Sequence, residues 1–206
     1  MIARNDWLKF SEKTPIEFAS KLAVSLKQIH EINAASFEDN WAEFVKNRAE
    51  TFVERQGAHG VNQQIIEVLP LYVEENLKFV PVNSKTVFTH ADVHFGNLGV
   101  ILSNESLEIG GLFDFADSRR GFHEYDFLAV SVLMIQEQAN VQREFFKSYG
   151  YAEHELDETM RRRLMMLTML YETADLRRYA RRLKPEAVEF SLAELEKAIW
   201  SFAEKD

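Results

Sequence analysis

Four polar side chains that can do chemistry stand close together in the sequence VFTHADVHFGNLGV, residues 87–100. They are His90, Asp92, His94 and Asn97, and the run that holds them begins and ends with apolar residues. A carboxylate can accept or orient the proton of a hydroxyl, and carboxylate and amide oxygens are ligands that Mg²⁺ prefers. The segment is therefore a candidate chemical site. The alternative is that Asp92 and Asn97 are turn residues that satisfy their own backbone.

A predicted β-hairpin places a second carboxylate near this segment. Apolar runs flank the turn-like residues 103–106, a pattern that indicates a hairpin. If the turn centres on Glu105–Ser106, Asn97 and Asp114 lie opposite each other, about 5 Å apart. An amide oxygen and a carboxylate at the open end of a hairpin can share a divalent cation, although Asp114 can also be a plain turn residue. Asp92 enters the hairpin on the preceding loop and can reach the same point as a base or a positioning group.

Most of the remaining sequence predicts helices that must hold this loop and hairpin. Residues 14–17 (TPIE) are typical of a capping box, and the apolar stretch 164–170 is typical of a buried central helix. The predicted helices cover 15–29, 39–56, 62 onward with an interruption at Pro70, 125–135, 141–148, 157–183 and 185–203, and a short strand covers 86–89. No internal repeat or long linker divides the chain. We therefore expect one compact α+β domain, mostly α-helical, with a small central hairpin that carries the site.

Composition excludes several classes of protein. The chain of 206 residues has no cysteine, so disulfides, zinc–thiolate sites and thiol nucleophiles are excluded, which agrees with a reducing cytoplasm. No apolar run reaches the roughly 20 residues of a membrane span, so we expect no membrane partner. The net charge of −9 opposes binding to a phosphate backbone, so nucleic acid is not expected either. An acidic surface suits a cationic small substrate, and solubility explains it equally well.

The ordered motifs resemble the catalytic core of the protein-kinase-like fold. The run HADVHFGN at 90–97 matches the catalytic-loop spacing His-x-Asp-x-x-x-x-Asn, and DFA at 114–116 stands where a kinase has Asp-Phe-Gly. The details are more similar to the aminoglycoside phosphotransferase family and its choline-kinase-like relatives. These typically have His-Gly-Asp-Leu-His-x-x-Asn, then a hairpin, then a strand that ends in Asp-Phe. GFHEYDFLA at 121–129 and FASKLAVSLKQIHEI at 18–32 resemble two further segments of that family.

This resemblance implies a phosphotransferase and assigns a role to each matching residue. ATP or GTP would give its γ-phosphoryl group to a hydroxyl of a small molecule, and Asp92 would accept or orient the hydroxyl proton. Asn97 and Asp114 would hold Mg²⁺. His90 would pack under the loop, and Asp126 would brace it from below.

Two departures from the family pattern are small, and one is large. Ala91 and Ala116 replace glycines, and His94 receives no role. The larger departure is that no phosphate-covering Gly-rich loop and no strand lysine precede the catalytic loop. We therefore expect residues 1–14 to be a hinge-like remnant and 15–206 to be the helical large lobe, without the N-terminal nucleotide-binding lobe. Apolar residues of the hinge, namely Ile2, Trp7 and Leu8, would then favour self-association or a partner chain that supplies the missing lobe.

The functional reading leaves two alternatives open. The chain is either an ATP- and Mg²⁺-dependent small-molecule kinase, whole or truncated, or an inactive kinase lobe that serves as a binding or interaction module. Glu172 and Asp175 are candidates to bind a cationic substrate if they face the cleft. The arginines of this region are compatible with an anion site; they are Arg161, Arg162, Arg163, Arg177, Arg178, Arg181 and Arg182. The favoured interpretation places them on a solvated helix face, with Glu158, Glu172 and Asp175 at salt-bridge spacing.

Overall fold

The protein is an α+β structure dominated by helices, as the sequence predicts. The computed structural model describes residues 13–33, 37–103 and 106–203. Its helices are α1 (Lys13–Ile29), α2 (Trp41–Ala58), α3 (Gln63–Asn76), α4 (Phe127–Val130), α5 (Ala139–Tyr149), α6 (Glu158–Leu170), α7 (Leu176–Leu183) and α8 (Leu192–Ile199). Single turns of 3₁₀ helix cover Leu77–Phe79, His123–Asp126, Glu153–Glu155, Pro185–Glu189 and Ser201–Ala203, and a π-helical turn, Ser131–Ile135, continues α4.

The β structure consists of two small antiparallel pairs. The strands are β1 (Val87–Thr89), β2 (Leu98–Ser103), β3 (Ser106–Leu112) and β4 (Arg119–Gly121). β2 and β3 form the predicted hairpin, and β1 pairs with β4. The candidate loop 90–97 therefore connects the two pairs, and residues 113–118 connect them again further along the chain.

The core is built around α6, and α1 packs with α5 and β3 in a second group of elements. α6 contacts α2, α3 and α8, and its residues Leu164–Leu170 are all buried, which confirms the predicted central helix. α1 packs against α5 and β3 through Phe18, Leu22 and Leu26, which recur every four residues on one face. These helices form the rigid base on which the loop and the hairpin rest.

The predicted interruption at Pro70 is wrong. α3 continues through Pro70 to Asn76, with the proline on its exposed face. A proline inside a helix removes one backbone hydrogen bond. The buried side chains of Ile65 and Leu69 fix the same helix against the core, and their burial offsets that loss.

The predicted long helix 157–183 is two helices, separated by residues 171–175. Arg48 on α2 donates to the carbonyls of Leu170 at 3.1 Å and Tyr171 at 2.7 Å, which satisfies the carbonyl end of α6. The buried side chain of Gln56 donates to the carbonyl of Ala174 at 2.8 Å and accepts the backbone N–H of Leu176 at 2.9 Å. α2 therefore holds the break open by hydrogen bonds that are distant in sequence.

The end of the chain and the arginines of α6 also differ from expectation. The predicted last helix begins instead with a 3₁₀ turn, and Ser191 then caps α8. Arg161 pairs with the nearly buried Glu196, and Arg163 pairs with the fully buried Glu124, so these two arginines do not lie on a solvated face. Arg162 does, in an exposed pair with Glu158.

The prediction of self-association through apolar hinge residues concerns Ile2, Trp7 and Leu8, which lie outside the described residues. Within the described ranges, every helix is too short or too polar to cross a lipid bilayer.

Candidate active site

The loop 90–97 is held from below by the buried carboxylate of Asp126. This carboxylate accepts the backbone N–H of His90 at 2.9 Å and that of Ala91 at 2.6 Å, and the ring Nε2 of His30 lies 2.9 Å from it. Ala91 has a left-handed backbone with φ of +67°, which costs about 1–2 kcal/mol for a residue with a Cβ. The hydrogen bonds from Asp126 therefore stabilise a turn that the alanine alone disfavours. Asp126 lies where the resemblance predicted a brace.

His90 joins the loop to the end of the hairpin. Its buried ring donates from Nε2 to the carbonyl of Phe113 at 2.8 Å, and its Nδ1 accepts the backbone N–H of Asp92 at 3.2 Å. These two contacts require the neutral ring with hydrogen on Nε2. Because both ring nitrogens are engaged and the side chain is buried, His90 is a packing residue and is not available to a substrate.

Asp92 is the partly exposed carboxylate at the centre of the loop. Its side chain is 27% exposed, and the Nε2 of His94 lies 3.2 Å from its Oδ2. The Nδ2 of Asn97 donates to the same Oδ2 at 2.9 Å, and the hydroxyl of Tyr171 lies 3.1 Å from Oδ1. Since the Nδ1 of His94 accepts the backbone N–H of Gly96, its Nε2 carries the hydrogen that faces Asp92.

These donors set the protonation state of Asp92. The hydrogen bond from His94 is the largest cause that lowers the pKa of the Asp92 carboxyl below its ordinary value, against the opposing effect of partial burial. Hydrogen bonds from Tyr171 and Asn97 lower the pKa further. Asp92 is therefore an ionised acceptor at neutral pH, suited to orienting a hydroxyl.

The hairpin register differs by one residue from the predicted one. The backbone N–H of Phe113 donates to the carbonyl of Asn97 at 2.8 Å, so Phe113 lies opposite Asn97 and Asp114 follows it. Ser103 pairs with Ser106 at the turn, two positions from the predicted pairing, and a bulge between Gly99 and Val100 reduces the difference to one position at the open end. The prediction that Asn97 and Asp114 are directly opposed is therefore wrong, although the two remain neighbours.

The oxygens of Asn97 and Asp114 fit a small hard cation. The Nδ2 of Asn97 donates to both the carbonyl and the carboxylate of Asp92, each at 2.9 Å, which leaves its Oδ1 as the coordinating atom. Asp114 is exposed with φ of +60°, and no hydrogen bond or ion pair from another described residue engages its carboxylate. In the described ranges no three acidic or histidine side chains cluster as a self-sufficient metal cage. Mg²⁺ commonly binds one or two protein oxygens and takes its other ligands from phosphates and water, so this donor set fits it.

Glu172 and Asp175 do not join this arrangement. The carboxylate of Asp175 caps α7 by accepting the backbone N–H of Arg178 at 2.9 Å, and it lies 3.9 Å from the Nδ1 of His59. Glu172 is 60% exposed and its Oε2 lies 3.6 Å from the Nη2 of Arg119. Neither residue lines the pocket beside Asp92. Their assignment to a cationic substrate stays a prediction that the geometry does not support.

Two residues that contact Asp92 were not assigned from the sequence. Tyr171 donates its hydroxyl to the carbonyl of Ala91 as well as facing Asp92, and it lies 79 positions further along the chain. No local pattern points to it. The sequence does contain a pattern that indicates His94, because the spacing Asp-x-His in the loop places two polar groups within reach of each other.

Comparison with known proteins identifies the family. The model of the phosphotransferase enzyme family (APH) matches residues 4–165, which is more than three quarters of the chain and includes Asp92, Asn97, Asp114 and Asp126. The chain belongs to this family. No curated protein matches it.

Solved structures of phosphotransferases share its fold. The GDP complex of aminoglycoside 2′-phosphotransferase-IIIa matches with a TM-score of 0.67 at 15% identity, over 97% of this chain and 66% of that one. The streptomycin–ATP complex of APH(2″)-IIa matches with a TM-score of 0.56 at 19% identity, over 95% and 67%. Macrolide 2′-phosphotransferase type I matches with a TM-score of 0.51 at 16% identity, over 95% and 62%. The chain thus has the fold of the C-terminal lobe of these kinase-like enzymes and spans about two thirds of their length.

Proposed function

We propose that this protein transfers the γ-phosphoryl group of ATP or GTP to a hydroxyl group of a small molecule, with Mg²⁺ as the metal. The observation that carries the proposal is the hydrogen bond between Asn97 and Asp92. It joins a candidate metal ligand to the candidate hydroxyl-orienting carboxylate, within the segment that matches the family. Asp114, at the end of the adjoining hairpin, completes the set.

Asp92 would act mainly by positioning. Its lowered pKa keeps it ionised, so it accepts the hydrogen bond of the substrate hydroxyl and aims an oxygen lone pair at the γ-phosphorus. The bond from this oxygen to phosphorus forms while the bond to the β,γ-bridging oxygen breaks, and the hydroxyl proton passes to Asp92 and then to water. Bound Mg²⁺ would offset the charge of the phosphates.

The surrounding residues keep Asp92 in place for this role. Tyr171 and His94 hold its two oxygens from different sides, and Asp126 holds the backbone of the turn before it. Substrate positioning of this kind supplies a large part of the rate in phosphoryl transfer.

The test is transfer of labelled phosphate from ATP to a panel of sugars, amino-sugars, amino alcohols and hydroxy acids. The 206-residue chain is assayed alone and joined behind the N-terminal lobe of a solved relative. We expect transfer in the joined form, near-background transfer by Asp92→Asn, and unchanged transfer by Glu74→Gln. The control removes one exposed carboxylate charge on α3, a helix that contributes no residue to the candidate site.

Two results would contradict the proposal. Transfer that is equal in the Asp92→Asn and parent proteins would separate the activity from this site. No transfer in either form, on any compound in the panel, would favour the non-catalytic lobe.

A further inference from the structure

A pocket of about 430 Å³ opens directly beside Asp92. Asp92, His94 and Tyr171 line it, together with Leu133 and two arginines of α7, Arg178 and Arg182. We call this the acceptor pocket. Neither Asn97 nor Asp114 is among the residues that line it.

The two arginines face the pocket because of their helical spacing. α7 has the sequence LRRYARRL, and it buries Leu176, Tyr179, Ala180 and Leu183 against the core. Arg178 and Arg182 are four residues apart and therefore lie on one face. Arg177, by contrast, lines a separate cavity beside Gly60. The helix thus divides its arginines between two surfaces and presents one pair to Asp92.

The acceptor pocket is lined by two guanidinium groups and two carboxylates, so its formal charge is balanced although the protein as a whole is acidic. The whole chain carries a net charge of −9. Within the described residues, no carboxylate pairs with the guanidinium of Arg178. Arg178 also lines a small cavity that adjoins Asp92 and Tyr171, so it lies within a small molecule's length of the reacting position. Asp117 lines the acceptor pocket too, and carboxylates such as Asp117 and Asp92 accept hydrogen bonds from hydroxyls.

Guanidinium groups in this arrangement select the chemistry of the ligand. Arginine forks bind carboxylate and phosphate oxygens in pairs, and a cationic group would be repelled from them. Leu133, in the π-helical turn after α4, adds an apolar wall. We propose that the acceptor is a small hydroxyl compound that carries an anionic group, a carboxylate or a phosphate, bound by Arg178 and Arg182 with its hydroxyl at Asp92. This inference rests on the proposed function, and it replaces a cationic substrate with an anionic one.

The test compares four compounds on one carbon skeleton. They are glycerol, glycerate, glycerol 3-phosphate and 3-aminopropane-1,2-diol, which present a neutral, a carboxylate, a phosphate and a cationic head group. Binding to the 206-residue chain is measured by ligand-observed NMR at constant ionic strength. We expect one or both anions to bind more tightly than glycerol, and the cation to bind most weakly. The carboxylate and phosphate arms distinguish which anion the pocket takes.

Matched double variants locate the binding. Arg178→Gln with Arg182→Gln should weaken anion binding by about tenfold or more, as expected for losing charge-assisted hydrogen bonds. Arg177→Gln with Arg181→Gln removes the same charge from the same helix and should leave anion binding nearly unchanged. Equal loss in both double variants, or no preference for anions over the neutral and cationic compounds, would overturn the inference.

The failure of this inference and the failure of the proposed function give different results. Asp92→Asn should abolish phosphoryl transfer while the preference for anions persists. Anion binding at Arg178 and Arg182 without transfer to any compound would overturn the function and leave the pocket assignment standing. Transfer to neutral or cationic compounds without an anion preference would overturn the pocket assignment alone.

Discussion

Replacing Asp126 by asparagine should loosen the turn at His90 and Ala91 while changing the volume of the side chain very little. The native carboxylate accepts three hydrogen bonds, from the backbone of His90 and Ala91 and from the ring of His30. Asparagine has a single acceptor oxygen, and its NH₂ group is a donor. At least one of the three donors must therefore face another donor in a site that excludes water.

The hydrogen bonds of Asp126 determine the expected loss of stability. A hydrogen bond to a charged group contributes about 1.5–3 kcal/mol, and a buried polar group left unpaired costs about 1–3 kcal/mol. We expect Asp126→Asn to lower the free energy of unfolding by roughly 2–4 kcal/mol, a large part of the ~5–15 kcal/mol of an ordinary domain. Because the left-handed Ala91 directly precedes Asp92, the rate of phosphoryl transfer should also fall, by about 100-fold for a displacement of ~1 Å.

Chemical denaturation and the transfer assay measure the two effects. The control is Asp157→Asn, since Asp157 caps α6 from an exposed position and asparagine is an equally good helix cap. We expect the control to retain both stability and rate. If Asp126→Asn has the stability and rate of the parent protein, Asp126 does not brace the loop and this reasoning is refuted.

Two further substitutions test a buried ion pair and the charge state of the site. Arg163→Met should destabilise the fold by about 3–5 kcal/mol, because it leaves the fully buried carboxylate of Glu124 uncompensated. Arg162→Met, which removes an exposed arginine, should change the stability little. Urea denaturation compares the two variants, and equal effects would refute the burial argument. His94→Ala should raise the pKa of Asp92 in the folded protein, because it removes a hydrogen bond to the carboxylate. The native carboxylate stabilises the fold above its unfolded pKa of about 3.9, and this contribution is lost as the pH falls through the lowered folded pKa. The loss of activity at acid pH should then begin at a higher pH in the variant. A ¹³C NMR titration measures the pKa of Asp92, and an unchanged pKa would contradict the prediction.

The sequence predicts the part of the candidate site whose residues are close together along the chain. His90, Asp92 and Asn97 lie on one short loop, so their spacing predicts their proximity, and the structure joins Asp92 and Asn97 directly. The exact pairing across the hairpin was not predicted, because Ser103 pairs with Ser106, two positions from the expected pairing, and the bulge at Gly99 and Val100 recovers only one of them. Glycine-rich strands specify register weakly, and no apolar alternation in β2 or β3 signals a bulge.

The break between α6 and α7 could not be predicted from local sequence. The residues around it have no proline or glycine, and the helical pattern runs on into the arginines. The hydrogen bonds that stabilise the break come from Arg48 and Gln56, which are more than 110 positions away in the chain. The break places Tyr171 against Asp92 and directs Arg178 to the acceptor pocket. Tertiary contacts thus decide which residues of this region lie beside Asp92.

Manganese binding tests most directly whether the loop 90–97 and the hairpin form one metal site. Mn²⁺ is titrated into the 206-residue chain, and binding is followed by the relaxation of water protons. We predict weak, saturable binding that Asp114→Asn abolishes, that Asn97→Ala weakens, and that Glu74→Gln leaves unchanged, because Mn²⁺ accepts the same oxygen ligands as Mg²⁺. Binding that is the same in Asp114→Asn as in the parent protein would contradict the metal site, and with it the assignment of Asn97 and Asp114 to phosphoryl transfer.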